Sequence, residues 1–151
     1  RSLIYRIYEQ DEQERRYEKM QNLWMENTLI DVSENKKRPE DIHSRLKELM
    51  KDPAVFTDPS INRKDIAERL GTNEKYVYDT IKEFYGTNIS DYINKLRLNY
   101  ARALLAIPND RRTVDAIALE SGFNSRSTFY RLFKEHYGMT PIEFRRLIAT
   151  S

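Results

Sequence analysis

Near the end of the chain, the stretch ESGFNSRSTFYRLFKEHYGMTP (Glu120–Pro141) carries basic and hydroxyl side chains at helical spacing. If Phe129 and Phe133 face a core, the opposite face of the helix presents Arg126, Ser127, Tyr130, Arg131 and Lys134. Guanidinium, ammonium and hydroxyl groups donate hydrogen bonds that suit phosphate oxygens and the edges of bases. Such a face is typical either of a helix laid against a nucleic acid or of an ordinary solvated helix.

The neighbouring segments form an internal repeat. RKDIAERLGTNEKYVYDTIKEFYG (Arg63–Gly86) aligns with TVDAIALESGFNSRSTFYRLFKEHYG (Thr113–Gly138), with one additional residue in the turn of the second copy. The matched positions are Ile66/Ile117, Ala67/Ala118, Gly71/Gly122, Val77/Phe129, Ile81/Phe133, Lys82/Lys134, Glu83/Glu135, Tyr85/Tyr137 and Gly86/Gly138. Two copies at such close spacing indicate one supersecondary unit used twice.

Each copy contains the parts of a helix-turn-helix. The first helix contributes an Ile-Ala pair whose small alanine lets helix backbones approach, and Gly71 or Gly122 permits the backbone that ends a helix. Asn73 or Ser125 then caps the second helix by accepting from exposed backbone N–H groups. In the first copy, the residues that point outward from the second helix are Lys75, Tyr78, Asp79 and Lys82. Protein-binding domains also use this packing, but two joined copies favour a nucleic-acid role.

One long helix is predicted between the two copies, over NISDYINKLRLNYARALLAI (Asn88–Ile107). Its expected apolar stripe consists of Tyr92, Ile93, Leu96, Tyr100, Ala103 and Leu104. At about 1.5 Å per residue, such a helix is roughly 30 Å long. That length suits a spacer between two helices that read one face of a duplex about 34 Å apart.

The composition favours helix throughout. The chain of 151 residues has only four glycines and five prolines, and no segment alternates with a period of two. We therefore expect an all-α fold: two homeodomain-like three-helix subdomains, about 38–87 and 109–149, joined by a linker helix over 88–107. The lack of cysteine excludes disulfides and thiolate–metal sites.

Residues 1–37 differ in character from the rest. Their pattern predicts a polar helix from Leu3 to Ile30, with a charged interruption that does not suit a coiled coil. A linker, VSENKKRPED (Val32–Asp41), follows. We expect residues 1–37 to be a connector that docks on a partner or pairs two copies through residues 3–30, before a helical domain over 38–151.

Residues from about Glu40 to Ala149 resemble the DNA-binding domain of the AraC/XylS family of bacterial transcription regulators. The resemblance lies in DIAERLGTNEKYVYDTIKEFYGTNISDYINKLRLNYARALL and above all in VDAIALESGFNSRSTFYRLFKEHYGMTPIEFRR. The positions that match the second-half pattern of the family are Gly122, Phe123, Ser125, Phe129, Arg131, Phe133, Lys134, Gly138, Thr140, Pro141 and Arg145. The first 39 residues lie outside the resemblance.

The resemblance implies seven helices in two helix-turn-helix subdomains, each placing its second helix in a major groove of double-stranded DNA. Carried over, the base-reading positions are Lys75, Tyr78, Asp79, Arg126, Ser127, Tyr130 and Arg131. The positions expected to contact phosphates are Asn73, Lys82, Arg97, Ser125 and Lys134. The implied function is a sequence-specific transcription regulator, an activator that recruits RNA polymerase, with a sensory domain missing upstream.

The two second helices differ in charge. Residues 73–85 sum to −1, whereas residues 125–137 sum to +2. Asp79 either accepts from a cytosine N4 or pairs with a neighbouring lysine, and we favour the pairing. Over the whole chain the net charge is only +2. A second hypothesis therefore stays open, in which a helical protein-interaction module has kept the fold and lost specific DNA binding.

Catalysis is not expected of this chain. Its only histidines are His43 and His136, on separate predicted helices, and it lacks a phosphate-binding loop, a nucleophile elbow and clustered metal ligands. We expect a protein that is not an enzyme and that needs no cofactor or metal.

The chain shows neither a membrane span nor a signal peptide. No run approaches the ~18–20 apolar residues of a span, and the start RSLIYRIYEQDEQERR becomes charged too soon for a signal peptide. We therefore expect a cytoplasmic location. The chain begins at Arg1 without a methionine, which suggests a fragment, and LIYRIY (Leu3–Tyr8) leaves a membrane-anchored parent open as the tail of a span.

Overall fold

A computed structural model describes residues 39–150, and all regular secondary structure in that range is helical. The helices are α1 (Pro39–Leu49), α2 (Pro53–Phe56), α3 (Arg63–Leu70), α4 (Glu74–Tyr85), α5 (Ile89–Leu105), α6 (Val114–Glu120), α7 (Arg126–Tyr137) and α8 (Pro141–Ala149). The all-α prediction is confirmed for these residues. The predicted connector helix over 3–30 lies outside them.

The described residues form two compact units. The first comprises the described chain up to Lys51 together with Ile61–Ile89, and the second comprises Asp52–Ser60 and Ser90 onwards. Each copy of the repeat, Arg63–Gly86 and Thr113–Gly138, lies within one unit, whereas the predicted subdomain bounds 38–87 and 109–149 stay predictions. The short segment with α2 and nearly all of α5 belong to the second unit.

The first unit is a three-helix arrangement of α1, α3 and α4. Helix α1 packs against α4 and α3, and α3 packs against α4. The residues of its core that are almost completely inaccessible to solvent are Ile42, Leu46, Ile66, Val77 and Ile81. Arg45 of α1 donates to the carbonyl oxygen of Leu70 at 2.5 Å, which satisfies an acceptor that the end of α3 leaves without an intrahelical partner.

A hydrophobic core of the second unit is made by α5, α6, α7 and the turn between the last two. Its buried residues are Leu98, Ala101, Leu105, Ile117, Ala118, Phe123, Phe129 and Phe133. Phe129 and Phe133 are fully buried, with ring centroids 5.6 Å apart. Their burial confirms that the outward face of α7 is the one that carries the basic residues.

Helix α5 buries a different set of residues from the predicted stripe. Tyr92 and Ile93 are buried as expected, but Ala103 is exposed. The other buried residues are Leu98, Ala101 and Leu105, which belong to the core of the second unit. The prediction was wrong for Ala103 and missed Leu98, Ala101 and Leu105, because apolar residues occur on several sides of this helix and periodicity alone did not select the face that packs.

The turns of the two helix-turn-helix copies are closed in the same way. The N–H of Thr72 donates to Ala67 O at 2.9 Å, and the N–H of Phe123 donates to Ala118 O at 3.0 Å. Thr72 and Phe123 are both buried. The additional residue of the second copy is therefore Asn124, which is exposed between the closed turn and the cap of α7.

An ionic network fixes the loop that enters α6. Arg112 contacts the Asp110 carboxylate through Nε at 3.0 Å and also through Nη2, and its Nη1 lies 2.5 Å from Glu120 Oε2. Arg145 of α8 donates to the carbonyl oxygen of Arg112 at 2.5 Å. These contacts connect the loop to α6 and α8, and so position α6 within the second unit.

Candidate nucleic-acid interface

Helices α4 and α7, the second helices of the two copies, both begin with a side-chain cap. Asn73 Oδ1 accepts from the N–H of Tyr76 at 3.0 Å, and Ser125 Oγ accepts from the N–H of Thr128 at 3.3 Å. Both predicted caps are confirmed. Contact of Asn73 and Ser125 with phosphate stays a prediction.

The outward face of α7 is rich in donors. Arg126 and Arg131 have side chains that are 63% and 59% exposed, and Ser127 and Lys134 are exposed as well. Tyr130 is half-buried at the edge of this face. Four of the five outward residues of the second copy are thus accessible, on the part of the helix from Arg126 to Lys134.

Arg126 is held by two neighbours. Its Nε lies 2.9 Å and 3.1 Å from the two carboxylate oxygens of Asp115 on α6. The guanidinium carbon lies 4.3 Å from the ring centroid of Tyr130. The hydrogen bond to Asp115 is the main cause that raises the pKa of Arg126 above its ordinary value. The first residue of α7 therefore presents a charged and oriented guanidinium.

Arg131 and Lys134 of α7 are less constrained than Arg126. Arg131 Nη1 lies 3.7 Å from Glu135 Oε2, one helical turn away, which is a weak exposed ion pair. Lys134 lies in the last turn of the helix and is exposed. A flexible ammonium suits contact with a phosphate, whereas the planar guanidinium of Arg131 suits a base edge.

The outward face of α4 is more occupied. Lys75 Nζ lies 2.9 Å from Asp79 Oδ2, one turn along the helix, so the lysine pairing favoured for Asp79 is present. Tyr78 is 45% exposed and lies under the guanidinium of Arg63, with 5.9 Å between the guanidinium carbon and the ring centroid. Lys82 is exposed. The base-reading roles of these residues stay predictions.

Arg97 has a different environment from the other predicted phosphate-contacting residues. Its Nε donates to the carbonyl oxygen of Phe56 at 2.6 Å, and its Nη2 donates to that of Asp58 at 2.9 Å. Burial lowers the pKa of Arg97, and the nearby Asp58 partly opposes this shift. The arginine thus connects α5 to the segment that carries α2, which is a structural role that sequence reasoning did not assign to it.

Asp115 is the residue at this surface that the sequence reasoning missed. Its only signal in the sequence is its position: Asp115 is an acidic second residue of one predicted helix, and the next predicted helix begins with Arg126. The first unit contains a related contact of opposite polarity, in which Arg63 Nε lies 3.3 Å from Glu74 Oε1. In both units, a charged residue in the first turn of the first helix pairs with the first residue of the second helix.

Residues 39–150 offer neither a metal-binding cluster nor a membrane-spanning helix. No group of three histidine or acidic side chains there could hold a metal ion. None of the helices in that range is both long enough and apolar enough to cross a bilayer.

Comparison with known proteins gives the family. Residues 66–147 match the family described as a helix-turn-helix domain. A solved transcriptional regulator from Chromobacterium violaceum, described as having an AraC-type DNA-binding domain, is 30% identical with a TM-score of 0.64. The match covers 73% of this chain and 94% of that one. The chain belongs to the AraC-type helix-turn-helix family.

Two longer regulatory proteins are also similar to this chain. The melibiose operon regulatory protein of Escherichia coli K12 is 34% identical over 90 residues, which cover 60% of this chain. The transcriptional activator RhrA of Rhizobium meliloti is 30% identical over 113 residues, which cover 72% of this chain. The matched parts span only 29% and 35% of those two proteins.

Proposed function

We propose that this chain is the DNA-binding part of a transcription regulator. In this proposal α4 and α7 each enter a major groove, and the second unit contributes most of the sequence selectivity. The observation that carries it is the outward face of α7, where Arg126, Arg131 and Lys134 project from the side opposite two fully buried phenylalanines. Membership of the AraC-type family supports the same conclusion.

Within this proposal, activation is the favoured output. One relative is named a transcriptional activator and another an operon regulator, and both are much longer than the matched region. We infer that a sensory part lies upstream and that the bound regulator recruits RNA polymerase. In vitro transcription from a promoter that contains the selected site, with and without the full-length protein, tests the output, and repression would reject this part of the proposal.

The central experiment is a salt titration of DNA affinity. A random-sequence selection with the chain first provides a preferred duplex, and fluorescence anisotropy then measures affinity for that duplex and for a scrambled one between 50 and about 300 mM salt. Specific binding should weaken steeply, since each neutralised phosphate contributes a slope of about −0.9 in the double-logarithmic plot. DNA recognition would be rejected if binding to both duplexes is equally weak and does not change with salt concentration.

The alternative is a helical protein-interaction module without specific DNA binding. It draws support from α4, whose residues 73–85 sum to −1 and whose Lys75 is paired with Asp79. Under this alternative, the selection yields no enriched sequence.

Pairing of two copies through residues 3–30 is a separate hypothesis. If it holds, removal of residues 1–37 should lower the mass that light scattering measures.

A further inference from the structure

The contact between Asp115 and Arg126 joins the two helices of the second helix-turn-helix. Asp115 is the second residue of α6, and Arg126 is the first residue of α7. Both Asp115 oxygens lie within 3.1 Å of Arg126 Nε, and the ring of Tyr130 lies beneath the guanidinium. The guanidinium is thus restrained from its Nε edge and from one face.

This geometry determines which donors of Arg126 remain for a ligand. A guanidinium carries five N–H donors in a rigid planar fork. Because the carboxylate occupies the Nε side, the paired Nη1 and Nη2 groups are the donors left to point away from Asp115. Two parallel donors of this kind match the O6 and N7 acceptors that guanine presents in the major groove.

We propose that Asp115 is a specificity-determining positioning residue that holds Arg126 in the orientation that selects guanine at one base step. This inference rests on the proposed DNA-binding function and adds a residue that does not itself read a base. Asp115 acts through Arg126. An arginine that is already held in place loses less rotamer freedom when it contacts a base, so the ion pair lowers the entropic cost of that contact.

The first unit contains an interhelical ion pair of opposite polarity, which provides a control. There, the first residue of α4 is the acidic Glu74, and its partner Arg63 lies on α3. A carboxylate on the second helix offers no donors to guanine. The Glu74→Gln variant therefore removes an equivalent interhelical pair and the same charge, without the proposed selectivity, and is a matched control.

The proposal predicts two effects of opposite direction for Asp115→Ala. Loss of an exposed negative charge near a DNA-binding surface reduces repulsion of phosphates, so affinity for scrambled DNA should rise. The preference for guanine at the step that Arg126 reads should fall, by about two- to fivefold, because an exposed ion pair has only a modest orienting strength. A purely electrostatic role of Asp115 would strengthen binding to all sequences equally.

The experiment measures the affinities of five proteins for a panel of duplexes. The proteins are the wild type and the variants Asp115→Ala, Asp115→Asn, Arg126→Ala and Glu74→Gln, each checked for folding by thermal melting. The panel is the selected site with every base pair replaced in turn by the other three. Arg126→Ala identifies the base step that depends on this arginine.

The expected result is a loss of guanine preference in Asp115→Ala at that step alone. The loss should be smaller in Asp115→Asn, which keeps one acceptor oxygen, and absent in Glu74→Gln. The inference is overturned if Asp115→Ala leaves this preference unchanged, lowers it equally at all steps, or if the step selects a base other than guanine. If the wild type selects no sequence, the proposed function and this inference fail together, whereas the other results reject the inference alone.

Discussion

Arg97 of α5 donates from Nε to the carbonyl oxygen of Phe56 at 2.6 Å, and from Nη2 to that of Asp58 at 2.9 Å. The guanidinium therefore satisfies two main-chain acceptors at once, within the second unit. A lysine at this position would have a single nitrogen and could not span both carbonyls in the same way. The geometry assigns Arg97 to the architecture of the unit.

Arg97→Gln should therefore lower the free energy of unfolding by at least about 3 kcal/mol, since each of the two hydrogen bonds from this charged donor contributes roughly 1.5–3 kcal/mol. Chemical denaturation monitored by circular dichroism measures this change. Lys95→Gln, an exposed neighbour on the same helix, is the control for loss of one positive charge. A phosphate-contact role would instead appear as unchanged stability with a salt slope of DNA binding reduced by about 1.

Gly122 lies next to the hydrogen bond between Arg97 and the carbonyl oxygen of Phe56. It has a φ of +106°, and a Cβ built at this position would lie 2.7 Å from Arg97 Nε and 3.0 Å from Phe56 O. We expect Gly122→Ala to destabilise the chain by at least about 2 kcal/mol, through backbone strain and overlap together.

The control for Gly122→Ala is Gly138→Ala, at a φ of +79° with nothing within 4 Å of the added Cβ. Its cost should be about 1 kcal/mol, from the backbone conformation alone. Thermal melting of both variants gives the comparison. Equal destabilisation would show that the close approach to Arg97 and Phe56 contributes nothing.

Variants of Arg131 and Lys134 test the proposed separation of base reading and phosphate contact on α7. Arg131→Ala should cost about 1–3 kcal/mol of binding free energy on the selected site and relax discrimination at one base step. Lys134→Ala should weaken binding to all duplexes by a similar factor. The same duplex panel measures both variants, and an identical pattern for the two would contradict the assignment of reading and anchoring roles.

The Asp79→Asn variant tests whether Asp79, on the outward face of α4, reads a base. Because its carboxylate pairs with Lys75 at 2.9 Å, we expect Asp79→Asn to raise affinity for selected and scrambled duplexes alike, through loss of a negative charge. Binding measured at two salt concentrations checks this. If the variant instead loses preference for cytosine at one step, Asp79 reads a base.

A low pH should weaken the contacts between Asp110 and Arg112 in the loop before α6. The hydrogen bonds from Arg112 hold the pKa of Asp110 at about 2, below its ordinary value of 3.8. Since the pKa of the folded state is the lower one, this stabilisation is complete above about pH 4 and is lost as the pH falls towards 2. Arg112 stays charged throughout this range, because its hydrogen bonds to Asp110 and Glu120 raise its pKa.

The Asp110→Asn variant tests this expectation. Its melting temperature should lie below that of the wild type above pH 4, and the difference should shrink between pH 4 and pH 2. Glu83→Gln, which alters an exposed acid of the first unit, is the control. A difference that stays constant over this range would show that ionisation of Asp110 is not the cause.

Much of the fold was predictable because its signals are local. The glycine turns, the caps Asn73 and Ser125, and the four-residue spacing of Phe129 and Phe133 each act within one helical turn of the chain. The repeat then identified two related helix-turn-helix units. For the same reason, the outward face of α7 followed from the sequence without a structure.

Periodicity failed where a helix has apolar residues on several sides. Helix α5 buries Leu98 and Ala101, whereas Ala103 of the predicted stripe is exposed. The segments that pack against α5 are distant in sequence, and their positions decide which side is buried. No local pattern contains that information.

The sequence by itself determined the helices, their caps, the repeat and the family resemblance, because each depends on residues that are close together along the chain. The tertiary structure alone decided the partners of Arg97 and Arg126. Arg97 contacts Phe56 across 41 positions, and Arg126 meets Asp115 across 11. A long, flexible arginine can adopt many directions, and only the packing of neighbouring helices selects the acceptor that it meets and the donors that remain for DNA.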